Sequence, residues 1–215
     1  MLLYQYTYSC KMMFATTYKE IKFSTTAIFK EKGSKFISYI FPVYNQQEVK
    51  DKIKLVKTNE KGANHYCFAY VLFPDKSCKK SNDDGEPNST AGLPILRAIE
   101  TNDLTNTLII VVRYFGGKKL GIPGLIKSYK TSALLAIDKS KIIIKNIKEI
   151  YKIIFDHNII NDIMKEIKRN NAVILSHEYN LKHQLKFTID LDNAKNLIEK
   201  LKIFKEVDVT YIKTI

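Results

Sequence analysis

The amino-acid sequence predicts an α+β protein made of two domains. Its 215 residues are a comfortable length for two domains of ordinary size. Short apolar runs alternate with segments of helical periodicity along the chain, and the order of these elements changes near Ile142. We predict an α/β two-layer sandwich over residues 19–141 and a ferredoxin-like domain over residues 142–215.

The predicted N-terminal domain has the element order β-β-α-β-α-β-α. Two runs of strand-forming residues flank Gly33, which predicts a hairpin with this glycine in its turn. An amphipathic helix follows, with Val49 and Val56 on its apolar side. The later elements are a strand over His65–Phe73, a polar loop over Asp75–Ser89, a helix over Ala91–Glu100 with Thr90 as its N-cap, a strand over Asn106–Phe115 and a helix over Leu125–Lys139.

The remaining residues predict the order β-α-β-β-α-β, which is the ferredoxin-like arrangement. The predicted strands are Ile147–Phe155, Ala172–Tyr179, Gln184–Leu191 and Val207–Ile212, and the predicted helices are Ile159–Asn170 and Ala194–Phe204. Helices would cover one face of this sheet and leave the other face open. The three histidines of this domain, His157, His177 and His183, are far apart along the chain, and we interpret them as incidental.

Composition predicts a cytoplasmic protein without membrane spans. No apolar run reaches the roughly 20 residues that cross a bilayer. The cysteines Cys10, Cys67 and Cys78 are odd in number and lack metal-ligand spacing, so we expect reduced thiols and no disulfide partner. Residues 1–18 lack the features of a secretory signal, and we expect them to be disordered or to precede the true start.

The net charge of +13 comes from 35 lysines and arginines against 22 acidic residues. A basic excess of this size is typical of nucleic-acid binding. However, the chain has only three arginines, Arg97, Arg113 and Arg169. Arginine suits phosphate better than lysine does, because its guanidinium can donate two hydrogen bonds to one phosphate. A strongly AT-rich genome also produces a chain rich in Lys, Ile and Asn, so local clusters are more informative than the total charge.

The segment Ser81–Gly92, here called the acidic loop, contains the carboxylates Asp83, Asp84 and Glu86. Carboxylates this close repel one another unless a cation, backbone N–H groups or a donor side chain neutralises them. One interpretation is therefore a divalent cation held by hard oxygen ligands. The other is a turn in which a carboxylate caps the following helix. His65 precedes this loop and has either a structural or a catalytic role.

The segment Arg113–Lys130, here called the basic loop, runs into the helix predicted over Leu125–Lys139. It contains no acidic residue. Its basic residues are Arg113, Lys118, Lys119, Lys127 and Lys130, and its glycines are Gly116, Gly117, Gly121 and Gly124. Glycines allow the backbone to approach a ligand, and a helix N-terminus presents free N–H groups to an anion. The segment predicts binding of phosphate or of an RNA backbone, with a structural turn as the alternative. It is not a P-loop, because Ile122 and Pro123 occupy the Lys and Ser/Thr positions.

Several motifs that follow one another in a fixed order resemble the YigZ/Impact family. They are Ser34-Lys35-Phe36, His65, Asp83-Asp84-Gly85-Glu86-Pro87, Thr90-Ala91-Gly92, Arg113-Tyr114-Phe115-Gly116-Gly117, Lys119-Leu120-Gly121, Gly124-Leu125 and Tyr129. The resemblance covers residues 20–138, and the second half is similar to the small C-terminal domain of bacterial members. The chain departs from the family pattern at Pro123, where glycine is usual, and at Lys127-Ser128, where Arg-Ala is usual.

The resemblance implies a fold and a field of activity. The first domain is expected to resemble the second domain of a small-subunit ribosomal protein, and the second domain is expected to be ferredoxin-like. The eukaryotic relatives are translational regulators, which implies a link with translation.

Together these observations predict a non-enzymatic protein that binds nucleic acid or the translation machinery, with RNA or a ribosome-associated protein as its partner. Arg113, Lys118, Lys119 and Lys127 are expected to contact phosphate, while the acidic loop orders the loop that faces it, supported by His65 and Thr90. One alternative is an enzyme acting on a phosphorylated or nucleotide-like molecule. Another is a protein–protein module that uses the open face of the C-terminal sheet.

Overall fold

A computed structural model describes residues 16–215 of the chain. One compact unit comprises Tyr18–Lys145 and a second contains Asn146–Ile215, whereas the sequence placed the boundary near Ile142. Residues 1–15, which include Cys10, lie outside the described residues. The prediction for residues 1–18 can therefore be compared with the structure only at residues 16–18. Thr17 and Tyr18 belong to the first strand, so the ordered chain includes residues that were expected to precede the fold.

The first unit is built on an antiparallel sheet of five strands. These are β2 (Thr25–Glu31), β3 (Ser34–Pro42), β4 (His65–Leu72), β5 (Cys78–Asn82) and β6 (Thr107–Tyr114). They lie in the order β2-β3-β6-β4-β5. Two short strands, β1 (Thr17–Ile21) and β7 (Ile142–Asn146), pair with each other. The central strand β6 is buried from Thr107 to Arg113, which agrees with its continuous apolar sequence.

Helices cover both faces of this sheet. They are α1 (Gln46–Asn59), α2 (Gly92–Thr101) and α3 (Gly121–Asp138). Successive side chains of a strand point to opposite faces, so Phe36 joins the core beneath α2 and α3 while Ile37 joins the core with Val49 and Val56 of α1. The predicted two-layer sandwich therefore has a third layer, because α1 packs on the face opposite to the other two helices.

Two element boundaries in the first unit differ from the prediction. The predicted polar loop Asp75–Ser89 was wrong in part, because Cys78–Asn82 pairs with β4 as an edge strand. An edge strand with polar side chains has no apolar alternation to reveal it. Helix α3 begins at Gly121 instead of Leu125. Pro123 fits its first turn, where a missing N–H does no harm. Gly121 itself takes a φ of +71°, which glycine adopts without strain.

The second unit has the predicted ferredoxin-like order. Its strands are β8 (Lys148–Phe155), β9 (Val173–Tyr179), β10 (His183–Asp190) and β11 (Asp208–Thr214), and its helices are α4 (Ile160–Arg169) and α5 (Leu191–Ile203). The strands form an antiparallel sheet in the order β11-β8-β10-β9. Both helices pack on one face, where Ile163 and Leu197 meet Phe187 of the sheet. The predicted α+β fold class is therefore confirmed.

In the second unit, His157 and His177 both contact the buried ring of His183. His157 Nδ1 lies 2.9 Å from His183 Nε2, and His177 Nε2 lies 2.8 Å from His183 Nδ1. The rings of Phe155 and Tyr179 stack on His183, with centroid distances of 5.2 and 4.4 Å. The three histidines were interpreted as incidental because they are far apart along the chain, but the fold brings them into contact. Strand register places His183 opposite both Phe155 and Tyr179, which spacing along the chain does not reveal.

We expect the protein to lose stability as the pH falls below 6.5, the ordinary pKa of histidine. Burial, together with the neighbouring His177 and His157, lowers the pKa of His183. The folded protein then binds this proton less tightly than the unfolded chain does. The stabilising contribution of the neutral ring is therefore complete above pH 6.5 and is lost as the pH falls through the lowered pKa.

Thermal melting of the wild type and of His183→Phe across this pH range measures the effect. The variant keeps an aromatic ring in the stack but cannot be protonated there, so its melting temperature should depend less on pH. An equal pH dependence in both proteins would contradict the assignment to His183.

Candidate functional site

The candidate site lies in the first unit, where β3, β4 and β6 place three side chains in one row. Phe36 and His65 are the direct cross-strand neighbours of Arg113 on its two sides. Residues directly opposite one another in antiparallel strands project from the same face of the sheet. Since Phe36 packs in the core beneath α2 and α3, the row faces these two helices. The basic loop begins at Arg113 and leaves the sheet where β6 ends, at Tyr114.

A buried ion pair joins the acidic loop to the basic loop. Arg113 Nη1 donates to Glu86 Oε1 at 2.6 Å, and the two residues are only 5% and 8% exposed. The hydroxyl of Tyr129 donates to the same oxygen at 2.7 Å. Burial, assisted by the neighbouring Cys67 and Glu86, raises the pKa of Tyr129 far above its ordinary value, so this hydroxyl keeps its proton. The two loops therefore converge on one place.

The rest of the Arg113 guanidinium is enclosed. Its Nη2 lies 3.4 Å from Ser34 Oγ, and its Cζ lies 5.6 and 5.7 Å from the ring centroids of Phe36 and Phe115. Its Nε is buried and has no hydrogen-bond partner among the described residues. Arg113 was expected to contact phosphate at the surface, but the structure places its charge inside the protein. A basic segment does not distinguish a buried arginine from an exposed one.

Asp83, and not Thr90, caps helix α2. Oδ1 of Asp83 accepts the N–H groups of Ala91 and Gly92 at 3.0 and 2.8 Å, and a negative charge is favourable at a helix start. Thr90 is buried, and its hydroxyl donates to the carbonyl oxygen of Pro87 at 2.6 Å. The predicted N-cap was therefore wrong, and the capped-turn interpretation describes this part of the acidic loop.

His65 and Asp84 hold the remainder of the acidic loop. Asp84 Oδ2 accepts the backbone N–H of Tyr66 at 2.7 Å. His65 Nδ1 donates to the carbonyl oxygen of Asp84 at 2.9 Å, because a carbonyl oxygen can only accept. The carboxylates of Asp83, Asp84 and Glu86 thus face three different partners. Within residues 16–215 no group of three His, Cys, Asp or Glu side chains is placed to hold a metal ion, so the expected cation has no common centre here.

Two backbones cross closely beside the basic loop. A Cβ on Gly116 would lie 1.9 Å from the carbonyl carbon of Gly33, so only glycine fits at this crossing. The N–H of Gly116 donates to Ser34 Oγ at 3.3 Å. Gly117 takes a φ of +81°, which suits glycine, and a Cβ on Gly124 would lie 3.1 Å from Leu120 Cβ. The close crossing with Gly33 by itself requires glycine at position 116.

A cleft of about 280 Å³ opens between the two loops. Glu86 and Arg113 contribute to its lining, together with the apolar side chains of Phe115, Leu120, Ile122 and Leu125. Lys118, Lys119 and Lys127 are exposed, and Lys119 also lines the cleft. Leu120 at the N-cap of α3 makes no side-chain hydrogen bond to the helix start, where the first N–H groups have no partner within the helix.

Sequence reasoning missed the apolar walls of the cleft and the hydrogen bond of Tyr129. Phe115 and Ile122 lie within a segment whose charges and glycines dominated its interpretation. Tyr129 lies within the predicted helix over Leu125–Lys139, and a buried tyrosine hydroxyl usually finds a hydrogen-bond partner. That rule was the available signal, although it does not identify Glu86 as the partner.

These features define a class of two-unit α+β proteins in which a buried ion pair joins an acidic loop to a basic, glycine-rich one. The family model of the Impact N-terminal domain matches residues 32–137. IMPACT family member YvyE of Bacillus subtilis is 32% identical over 146 residues, covering 68% of this chain and 67% of the relative. The chain belongs to the IMPACT family, and the resemblance predicted from its motifs is confirmed.

Two further comparisons agree with this assignment. IMPACT family member YigZ of Escherichia coli is 35% identical over 106 residues, covering 48% of this chain and 52% of the relative. A crystal structure of a hypothetical protein matches with a TM-score of 0.73 at 23% identity, covering 93% of this chain and 98% of the other. That likeness confirms the fold. In the part of the chain that the structure describes, no helix is both long and apolar enough to cross a membrane.

Proposed function

We propose that this protein binds RNA in the cytoplasm as part of a regulatory role in translation. The observation that carries the proposal is the set of exposed lysines in the basic loop: Lys118 and Lys119 directly before the start of α3, and Lys127 within the helix. Lysines and the free N–H groups of a helix start both attract phosphate. Membership of the IMPACT family supports the translational role that the sequence resemblance implies.

Arg113 has a positioning role in this proposal. Its ion pair with Glu86 and its contact with Ser34 hold the end of β6, from which the basic loop leaves. The lysines of that loop are then presented from a fixed backbone. Asp83 and Asp84 accept backbone N–H groups of the acidic loop and its neighbours, which supports a role of these carboxylates in ordering the loop.

The double variant Lys118→Ala/Lys119→Ala is expected to bind single-stranded RNA more weakly than the wild type. Each phosphate neutralised on a single strand contributes about 0.7 to the slope of log affinity against log salt. Losing two lysine contacts should therefore make this slope shallower by about 1.4. Fluorescence anisotropy with a labelled oligonucleotide across a salt series measures both quantities.

Lys50→Ala/Lys54→Ala is the matched control for this experiment. It removes the same charge from two exposed positions of α1, which packs on the opposite face of the sheet. Its salt slope should equal that of the wild type. The proposal fails if both double variants weaken binding equally, or if the wild type shows no salt-sensitive binding to RNA.

A further inference from the structure

We propose that the cleft beside the Glu86–Arg113 pair takes one unstacked nucleotide of the bound RNA, with the base inside and the phosphate at the rim. This inference rests on the proposed function and specifies the chemical group that the site recognises. Three properties of the cleft carry it: the apolar walls, the polar groups of the lining, and the cationic rim.

The walls of the cleft suit a flat ring. Phe115 and Ile122 line the cleft and remain 48% and 58% exposed, which leaves two large apolar surfaces available for contact. Bases released from a stack pack on aromatic and apolar side chains of this kind. The volume of about 280 Å³ lies just below the range of about 300–1,000 Å³ that holds drug-sized molecules, so it suits a group as small as one base.

The polar groups of the lining suit the edge of a base better than a phosphate. Arg113 Nε is a buried donor without a partner among the described residues, and such a donor destabilises a protein until an acceptor reaches it. Glu86 takes its hydrogen bonds from Arg113 and Tyr129 on Oε1, and its Oε2 receives none from residues 16–215. A nucleobase edge presents an acceptor beside an N–H donor, whereas a phosphate would be repelled by the Glu86 carboxylate.

The rim of the cleft suits the phosphate of the same nucleotide. Lys119 is exposed and lines the cleft. Helix α3 begins at Gly121, which also lines the cleft, and its N-cap residue Leu120 makes no side-chain hydrogen bond to the helix start. A lysine and a helix N-terminus both favour a phosphate group. The interior and the rim would therefore recognise the two chemically different parts of one nucleotide.

The side-chain Nε–H signals of the arginines report directly on this site. The chain contains three arginines, and Arg97 and Arg169 are exposed, so they serve as internal controls in the spectrum of the isotopically labelled full chain. Arg97→Lys and Arg169→Lys assign the signals. We expect a short single-stranded RNA oligonucleotide to shift the Arg113 signal and to leave the other two in place.

Uridine monophosphate is the second probe, and it separates a nucleotide within a strand from a free one. A shift of the Arg113 signal with RNA, whether or not uridine monophosphate also shifts it, supports the inference. A shift with uridine monophosphate and none with RNA overturns it in favour of a free-nucleotide site. RNA binding that leaves the Arg113 signal unchanged overturns it as well.

Abasic RNA distinguishes failure of this inference from failure of the proposed function. An oligonucleotide with the same phosphates but without bases should bind the wild type about tenfold more weakly, the effect expected for one lost stacking contact. In Phe115→Ala, a substitution at a half-exposed position, this difference should disappear. Equal, salt-sensitive binding of both oligonucleotides to the wild type would overturn the inference and leave the proposed function intact. Absence of binding to either would defeat both.

Discussion

Replacing Glu86 by alanine is expected to lower the free energy of unfolding by about 3–5 kcal/mol, because it leaves the guanidinium of Arg113 buried without its counter-charge. Arg113 is only 5% exposed, so little of its charge is solvated in the folded protein. The hydroxyl of Tyr129 loses its acceptor in the same variant. Urea unfolding followed by circular dichroism measures the loss.

Two further variants bracket this result. Asp103→Asn removes a charge whose side chain is 63% exposed and pairs with Lys19 and Lys76, so it should cost less than about 1 kcal/mol. Glu86→Leu combined with Arg113→Met removes both buried charges and should cost less than Glu86→Ala alone. A loss for Glu86→Ala no larger than that for Asp103→Asn would show that the buried pair does not hold the two loops together.

The variant Gly116→Ala is expected to lose more than roughly 4 kcal/mol or to fail to fold, a range reached only by severe local disruptions. The added Cβ would lie 1.9 Å from the carbonyl carbon of Gly33. Both partners in this contact are backbone, so no side chain can rotate away, and the hairpin turn and the basic loop would have to separate. Yield of folded protein and urea unfolding measure the effect.

Gly117→Ala is the control for backbone conformation. Nothing lies within 4 Å of a Cβ at Gly117, but its φ is +81°. A non-glycine residue in that conformation costs about 1–2 kcal/mol. If the two variants lose the same free energy, left-handed backbone conformation and not the close crossing with Gly33 would explain the requirement for glycine.

The fold was predictable from the sequence wherever periodicity reports burial. The continuous apolar run of β6 and the amphipathic helices α4 and α5 were predicted because their patterns depend on local sequence alone. The edge strand β5 was missed because Cys78–Asn82 has few side chains to bury and is held by backbone hydrogen bonds to β4. The position of α1 on the second face of the sheet depends on tertiary packing, which no single segment encodes.

The loops that form the site were predictable, whereas the partners of their charged side chains were not. Asp83 and Glu86 are equivalent members of one acidic run in the sequence, but one caps a helix and the other neutralises a buried arginine. That division follows from the register that places Arg113 between Phe36 and His65. Register is a property of paired strands and cannot be seen in either strand alone.

The burial of Arg113 also shows a position at which lysine would not replace arginine, although lysine is by far the commoner basic residue of this chain. The chain has 35 basic residues and only three of them are arginines, of which Arg113 alone is buried. At position 113 the guanidinium lies 5.6 and 5.7 Å from the ring centroids of Phe36 and Phe115 while it reaches both Glu86 and Ser34. A single ammonium on a flexible stem cannot span those contacts. A lysine at this position would therefore supply the same charge but not the planar, branched geometry of the guanidinium.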